Sequence, residues 1–269
     1  MNDRVAYAYA VLGASDVPAG AVEALRGVAG APVGLVTSGD LAAAVSPVPS
    51  ADFLEDALRR HLEELDWLEA VARAHHTVIE ALCAHTTVLP LRLATVYLDD
   101  ARVRAVLRDG AEMFRAGLDR LAGHLEWGVK IYVDTPAEAA AEAPGTGTAA
   151  DMSPGRAYLR ARRAQRHSRD EAHRAAADAA SRVEEIGREL AAGHARHRVQ
   201  QGQLASGTGE NVLNDAFLVV RDRAEDFRAR VLAAGEGLPG VRIDVTGPWA
   251  PYSFAAVPGV VEPAAGTAP

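Results

Sequence analysis

The stretch from Val88 to Asp134 constrains the fold most, because it joins two β-rich segments through one helical segment. It reads VLPLRLATVY, then DDARVRAVLRDGAEMFRAGLDRLAG, then HLEWGVKIYVD. Asp99 or Asp100 is placed to cap the helix, and Gly123 is a natural stop for it. A strand, a helix and a strand in close succession predict a β-α-β half of a mixed sheet.

Two charged residues interrupt these otherwise apolar strands. Arg92 lies in the first predicted strand, Val88–Tyr97, and Glu126 lies in the second, Leu125–Val133. Because both strands flank one helix, they can be neighbours in one sheet, and a partly buried arginine needs a carboxylate beside it. The sequence therefore predicts an Arg92–Glu126 ion pair.

The chain before residue 86 predicts a smaller α+β domain that ends in a long helix. Its expected strands and short helix are Val5–Leu12, Val33–Val36 and Leu41–Val45, with the helix at Ala19–Val28. Pro47 and Pro49 are expected to stop the third strand, and Ser50 to cap the long helix. That helix has an apolar seam with spacings of four and three, formed by Leu54, Leu58, His61, Leu65, Leu68, Ala72, His75, Ile79 and Leu82.

A second long helix is predicted from about residue 154 to about residue 200. Its seam is made of small and aliphatic residues, namely Ala172, Ala176, Ala179, Val183, Ile186 and Leu190. Between residues 156 and 198 there are 11 arginines against 6 acidic residues. A solvated face with i, i+4 ion pairs is the favoured interpretation, and binding of an acidic partner is the alternative. The two helical seams are expected to pair with each other.

The remaining segments complete the predicted fold. Strands are expected at 211–221 and 241–245, with a helix at 224–234 between them. The segments at 135–155 and 202–211 are expected to be flexible. The prediction is an α+β protein of two domains, each a ferredoxin-like variant. The domains are 1–86 and 87–254, the second with a helical insertion at about 154–200, followed by a disordered tail at 255–269.

The composition limits the classes of function. A net charge of −8 argues against a general nucleic-acid or anionic-membrane binder. Cys83 is the sole cysteine, which excludes a disulfide framework, and its place in an apolar helix predicts an inert thiol. No basic, apolar leader precedes the first strand and no apolar run is long enough to span a membrane, so a soluble cytoplasmic protein is expected.

Catalytic motifs are sparse in this sequence. Lys130 is the only lysine and lacks the glycine frame of a phosphate loop, and no nucleophile-elbow motif is present. Two histidine pairs, 75/76 and 194/197, could bind a metal, and residues 194 and 197 would share one face if that segment is a helix. The sequence implies no third or fourth ligand for either pair. We therefore predict no catalytic, cofactor-binding or metal-binding residue, and expect packed or solvated histidines.

Three ordered motifs give the chain a specific resemblance. The segments VLPLRLATVY, HLEWGVKIYV and TGPWAPYSF, with the opening RVAYAYAVL, resemble the gas vesicle protein F/L family (GvpF/GvpL) from about residue 4 to 256. Leu93 and Ala94 replace the usual Phe-Gly of the first motif, and Ala250 replaces a proline of the third. The motif residues, with structural or interaction roles, are Leu89, Pro90, Arg92, Glu126, Trp127, Gly128, Gly247, Pro248, Trp249, Pro251 and Tyr252.

The resemblance implies a non-enzymatic protein of the cytoplasmic gas vesicle. The implied role is a minor shell component or assembly factor that binds the hydrophobic shell subunit and limits its aggregation. The implied partners are that subunit and other accessory proteins, with no cofactor, nucleic acid or lipid membrane. The alternative is a ferredoxin-like small-molecule or metal-dependent enzyme, which a bound metal with His ligands or a deep polar cleft beside Arg92 and Glu126 would indicate.

Overall fold

Two units make up the chain, and each is built around its own antiparallel sheet. A computed structural model describes residues 3–18, 20–134, 154–199 and 209–255. The first unit contains Met1–His124 and Trp249–Pro269, and the second contains Leu125–Pro248. The segments at 135–153, 200–208 and 256–269, which include most of the residues expected to be flexible, lie outside the described residues.

The first sheet has the strand order β2-β3-β1-β4. Its strands are β1 (Arg4–Gly13), β2 (Gly34–Ser38), β3 (Leu41–Pro49) and β4 (Val88–Pro90), and β5 (Val96–Tyr97) also pairs with β1. Its helices are α1 (Ser50–Phe53), α2 (Glu55–His61), α3 (Leu65–Cys83), α4 (Asp100–Asp109) and α5 (Ala111–Leu121).

Both faces of β1 are covered, because every residue from Val5 to Leu12 is buried. On one face α3 contributes Val78 and Ile79 to a core that includes the tyrosines of β1. On the other face α5 approaches β4 so closely that a Cβ on Gly117 would lie 3.1 Å from a methyl carbon of Leu89. The glycine therefore sets the distance between helix and sheet.

The domain boundary predicted at residue 86 is wrong, and the first unit continues to His124. The reason is long-range pairing. Leu12 lies opposite Val88, and Tyr7 lies opposite Val96, in antiparallel register. The strands that follow residue 86 therefore complete the first sheet.

The predicted strand Val88–Tyr97 is interrupted. Between β4 and β5 the chain makes a turn in which Ala94 has a φ of +62°, a left-handed conformation that favours glycine. The two halves remain attached to β1, because Leu91 donates its N–H to the Tyr9 carbonyl and Thr95 accepts from Ala8.

The third strand runs through both prolines instead of stopping at them. β2 extends along β3 only as far as Val45, so beyond that residue β3 has one neighbour. Pro47 and Pro49 lie in that single-sided part, where a missing N–H on the open side removes no ladder bond.

The helices of the first unit are shorter than predicted. The region 20–30 forms turns and a 3₁₀ segment, Val28–Gly30, instead of a helix. The long helix is divided at Leu54 and at 62–64, and Ser50 is its first helical residue, not a side-chain cap. Leu54 and Leu65 are 45% and 80% exposed, so the periodic leucines do not all record burial. The helix after Asp99 is capped as expected, by a bond from the Arg102 N–H, and then divides at Gly110.

The second sheet has the order β7-β8-β6-β9. Its strands are β6 (His124–Val133), β7 (Ala191–Arg196), β8 (Glu210–Val220) and β9 (Val241–Trp249), and its helices are α6 (Pro154–Leu190) and α7 (Ala224–Ala233). The predicted small-residue seam of α6 is buried against β6, β8 and α7. Likewise the buried residues of α3 pack within the first unit, so each seam is used by its own unit instead of by the other helix.

The helix α6 connects β6 to β7, so it is the first crossover of this sheet and not an insertion between two halves. The prediction missed β7 because AAGHAR continues a helical pattern locally. Pairing with β8, in which His194 lies opposite Phe217, overrides that local preference. Among the described residues, no helix is long and apolar enough to cross a membrane.

Candidate functional site

The family-motif residues divide into a buried set and an exposed set. Leu89, Pro90, Glu126, Trp127 and Pro251 are buried. Gly128 is half-buried on β6, and the others are exposed, namely Arg92, Gly247, Pro248, Trp249 and Tyr252. Only the exposed set is available to a partner without unfolding of the chain.

The buried motif residues hold the two cores. Leu89 and Pro90 lie on β4, where Leu89 contacts α5. Trp127 is 3% exposed and belongs to the core of the second unit with Val129 and Ile131. Its indole N–H has no hydrogen-bond partner among the described residues. These side chains stabilise the fold through apolar burial.

The basis for the Arg92–Glu126 prediction does not hold. Arg92 is exposed in the turn after β4, whereas Glu126 is 7% exposed on β6 of the other sheet. The two strands are therefore not neighbours in one sheet. The ion pair itself stays a prediction.

Two exposed motif residues, Trp249 at the end of β9 and Tyr252 just after it, pack on α3 in the first unit. His76 lies beside both aromatic rings, with centroids 6.1 Å from Trp249 and 6.1 Å from Tyr252. The Tyr252 hydroxyl is 3.4 Å from His76 Nδ1, and Glu80 is 3.1 Å from Nε2. We name these three rings, His76, Trp249 and Tyr252, the aromatic surface.

The aromatic surface combines exposure with a fixed backbone. Trp249 is 42% exposed and Tyr252 is 38% exposed. Between and after them, Ala250 is 5% exposed, and the Phe254 carbonyl accepts a 2.6 Å bond from Arg120 of α5. Two large rings are thus presented to solvent on a segment that is attached to both α3 and α5.

A buried hydrogen-bond network lies beneath this surface. The Tyr7 hydroxyl accepts from the Ala94 N–H at 3.0 Å and lies 3.0 Å from His75 Nδ1. Burial raises the pKa of Tyr7 and lowers the pKa of His75 to about 4. The phenol therefore stays protonated and donates to a neutral imidazole at neutral pH.

The neighbouring tyrosine is satisfied in the same way. Tyr9 donates to Ser46 Oγ at 2.8 Å and accepts the Val28 N–H at 2.8 Å. A Cβ on Gly27 would lie 2.0 Å from the Tyr9 hydroxyl, so only glycine fits there. Because Tyr7 and Tyr9 are 0% exposed, this network has no access for a substrate and serves to join β1, α3 and the first 3₁₀ segment.

Other titratable clusters have structural partners. His194 lies on a strand, not a helix, and its Nε2 is 2.7 Å from Asp215, while its ring stacks on Phe217 at 4.7 Å. Burial raises the pKa of the Cys83 thiol to about 11. Within the described ranges, no group of three or more His, Cys, Asp or Glu residues is arranged to hold a metal ion.

A concavity of about 620 Å³ lies on the first sheet, away from Arg92. Its charged lining residues are Arg4, Asp99 and Asp100. Arg4 donates to the Pro47 carbonyl, and Asp99 caps α4. These groups are engaged by the fold, and the site contains no nucleophile next to a base.

Sequence reasoning singled out Trp249 and Tyr252 but not their partner. Residues 76 and 252 are separated by 176 positions, so no local pattern indicates their contact. The buried Tyr7–His75 bond was likewise missed, although the alternating tyrosines of the first strand were visible.

Comparisons with known proteins agree on one family. A family model described as gas vesicle synthesis protein GvpL/GvpF matches residues 5–256. The chain is 46% identical over 259 residues to gas vesicle protein L of a Streptomyces species, covering 95% of this chain and 94% of that protein.

Two solved structures share the fold. Gas vesicle protein GvpF from Anabaena sp. PCC7120 has a TM-score of 0.59 at 20% identity, covering 94% of this chain and 97% of that one. GvpF from Microcystis aeruginosa has a TM-score of 0.62 at 18% identity, covering 94% and 99%. At these identities the likeness shows a common fold.

Proposed function

The chain belongs to the GvpL/GvpF family of gas vesicle synthesis proteins, and we propose that it binds the hydrophobic shell subunit through the aromatic surface. In this role it is a minor shell component or assembly factor in the cytoplasm, and it limits aggregation of the subunit while the vesicle forms. Other accessory proteins of the gas vesicle are its further proposed partners.

The observation that carries this proposal is the exposure of Trp249 and Tyr252 on a segment that contacts α3 and α5. Aromatic side chains are enriched in the centres of protein interfaces, where few residues carry most of the binding energy. A strongly apolar subunit needs such an apolar contact. Because the Tyr252 side chain already contacts His76 on α3, and Arg120 of α5 already bonds the Phe254 carbonyl, binding orders little additional chain.

The topology supports a related inference about the fold. Counted within each unit, both sheets have the order second-third-first-fourth. We infer that both units are ferredoxin-like variants, the first with turns in place of its first crossover helix, and the second with α6 as that helix. Each sheet then serves as a scaffold, and the proposed binding residues lie on α3, at the end of β9 and just after it.

The test is co-purification of the shell subunit with a Trp249→Ala/Tyr252→Ala double variant. Loss of two anchor residues at an interface typically costs about 2 kcal/mol or more, which reduces binding about 30-fold. Leu98→Ala is the matched control, because Leu98 is 67% exposed in the same unit but lies outside the motif. The control variant should co-purify the subunit as the parent does.

Cross-linking to the shell subunit gives an independent readout. Linked residues should map to α3 near His76 and to 249–254. If the double variant melts like the parent yet binds the subunit and supports vesicle formation normally, the proposed site is wrong. Cross-links confined to other surfaces would have the same meaning.

A further inference from the structure

The amino-terminal half of α6 carries an exposed basic face. Every side chain that the structure describes from Leu159 to Glu171 is exposed, and the first buried residue is Ala172. Leu159, Arg162, Arg163 and Arg166 share one helical face, because they are spaced three, four and seven positions apart. We name these four residues the basic face.

The guanidinium groups of the basic face are available to bind a partner. Neighbouring charges on α6 are engaged within the second unit, since Arg169 pairs with Glu210 at 3.0 Å and His167 with Glu171 at 3.2 Å. In contrast, Arg162, Arg163 and Arg166 have no ion-pair partner in the part of the chain that the structure describes. Leu159 beside them is 55% exposed.

A surface of opposite charge lies at the turn between α2 and α3 and on the first residues of α3. This acidic turn consists of Leu62, Glu63, Leu65 and Asp66, and all four residues are exposed. Leu65 is 80% exposed, the largest value among the exposed large hydrophobic residues of the described chain. Neither Glu63 nor Asp66 has an ion-pair partner among the described residues, whereas Glu64 lies 3.3 Å from His61.

We propose that the basic face of one copy binds the acidic turn of a second copy of this chain. The two surfaces match in chemistry, because each combines exposed leucine with unpartnered charge of one sign. A chain with a net charge of −8 repels its own copies, so a concentrated basic face directs association to one orientation. Contact between two unlike patches is a heterologous interface, so copies of the chain associate head to tail.

The charge of the basic face and of the whole chain argues against two other partners for this face, a second basic face and nucleic acid. Two basic faces cannot pair, because like charges oppose contact. Nucleic acid requires a surface of many phosphate contacts, whereas this face offers three arginines on an acidic protein. The leucines also have no role in binding phosphate, but they cover each other in a protein contact.

The experiment measures self-association of the purified full chain, without the shell subunit, by sedimentation equilibrium over a range of concentrations. The weight-average mass should rise above the monomer mass as concentration increases. Raising ionic strength from about 0.1 M to about 1 M shortens the screening length from about 10 Å to about 3 Å, and association should weaken at least about tenfold.

Charge reversal identifies the two surfaces. Arg162→Glu/Arg163→Glu/Arg166→Glu and Glu63→Arg/Asp66→Arg should each weaken self-association at least about tenfold, while a mixture of the two variants should associate again. The control for the basic-face variant is Arg104→Glu/Arg221→Glu/Arg228→Glu, which makes the same change in net charge at exposed arginines elsewhere. This control should associate as the parent does.

Three results would overturn the proposal. The first is a parent chain that stays monomeric at every concentration. The second is a control that weakens association as much as the basic-face variant does, and the third is a mixture of the two reversed variants that fails to associate. Circular dichroism checks that each variant is folded. All substituted residues are exposed, so the helical signal should not change. Failure here leaves binding of the shell subunit untouched, since that binding is measured at the aromatic surface.

Discussion

The buried imidazole of His75 should make the first unit less stable as the pH falls. Burial lowers the folded-state pKa of His75 to about 4 from 6.5. Above pH 6.5 neither state binds this proton, so the full stability is present. Between pH 6.5 and 4 the unfolded state is protonated and the folded state is not, so the free energy of unfolding decreases by up to about 1.4 kcal/mol per pH unit.

The total loss from this one group is about 3 kcal/mol, since the two pKa values differ by roughly 2.5 units. Below pH 4 the folded state also binds the proton, and His75 causes no further loss. His75 is only 3% exposed, so solvent screening does not reduce this figure much. The loss is a large part of the stability of an ordinary domain.

Urea titrations at a series of pH values test this slope, with pulse labelling of Cys83 as the probe. Cys83 is the sole cysteine and lies on α3, so its labelling reports the first unit. His75→Asn removes the titrating ring but keeps a polar partner for Tyr7. The slope between pH 6.5 and 4 should fall by about 1 kcal/mol per pH unit in this variant.

The control is His85→Asn, because His85 is exposed just beyond the end of α3. Its slope should equal that of the parent chain. An unchanged slope in His75→Asn would refute the reasoning, whatever the absolute stability of that variant. It would mean that His75 binds its proton equally well in both states.

Three further outcomes follow from particular contacts. Ala94→Gly should raise the free energy of unfolding by about 0.5–1 kcal/mol in urea titrations, because release from a φ of +62° outweighs the added freedom of the unfolded chain, and destabilisation would contradict this. Gly187→Ala on α6 should destabilise the second unit by about 1–3 kcal/mol, because the new Cβ would lie 2.3 Å from a ring carbon of Phe217. Gly34→Ala, with nothing within 4 Å of its Cβ, is the control, and equal losses in both variants would argue against overpacking. At pH 8, Cys83 should react with a disulfide reagent about 100-fold more slowly in the native chain than in the unfolded chain, since its pKa is raised from 9.0 to about 11, and equal rates would show an accessible thiolate.

The sequence was sufficient to predict elements whose local pattern and tertiary role agree. The strands β1, β6 and β8 and the helix α7 lie close to the predicted ranges, α6 begins at the predicted residue but ends about ten residues early, and the Asp99 cap is present. In each case an apolar period or a capping residue coincides with what is buried or bonded. The mixed helix-and-sheet class follows from those same elements.

Where local pattern and tertiary pairing disagree, the prediction failed. The strand β7 continues a helical sequence and becomes a strand only because β8 lies beside it. The boundary at residue 86 failed because β4 and β5 belong to a sheet begun at Arg4. Long-range register of this kind is not encoded in any single window of the chain.

Prediction of the aromatic surface from the sequence has the same limit. Its two exposed rings could be named from the motif, but the contact with His76 depends on where β9 ends. Of the acidic turn, Leu65 was predicted to lie on the apolar seam of one long helix. Its 80% exposure reverses that interpretation and turns an expected core residue into a candidate contact.

The turn at Ala94 separates structural from interaction roles among the motif residues. This alanine stands where the resemblance implies glycine, and its φ of +62° is the conformation that glycine adopts without strain. The motif glycine is thus explained by the backbone between β4 and β5, with no need for a ligand. Burial explains Leu89 and Trp127 in the same way. Trp249 and Tyr252 pack on His76 yet stay 42% and 38% exposed, so burial alone does not explain these two motif residues, and the proposed binding role concerns their exposed faces.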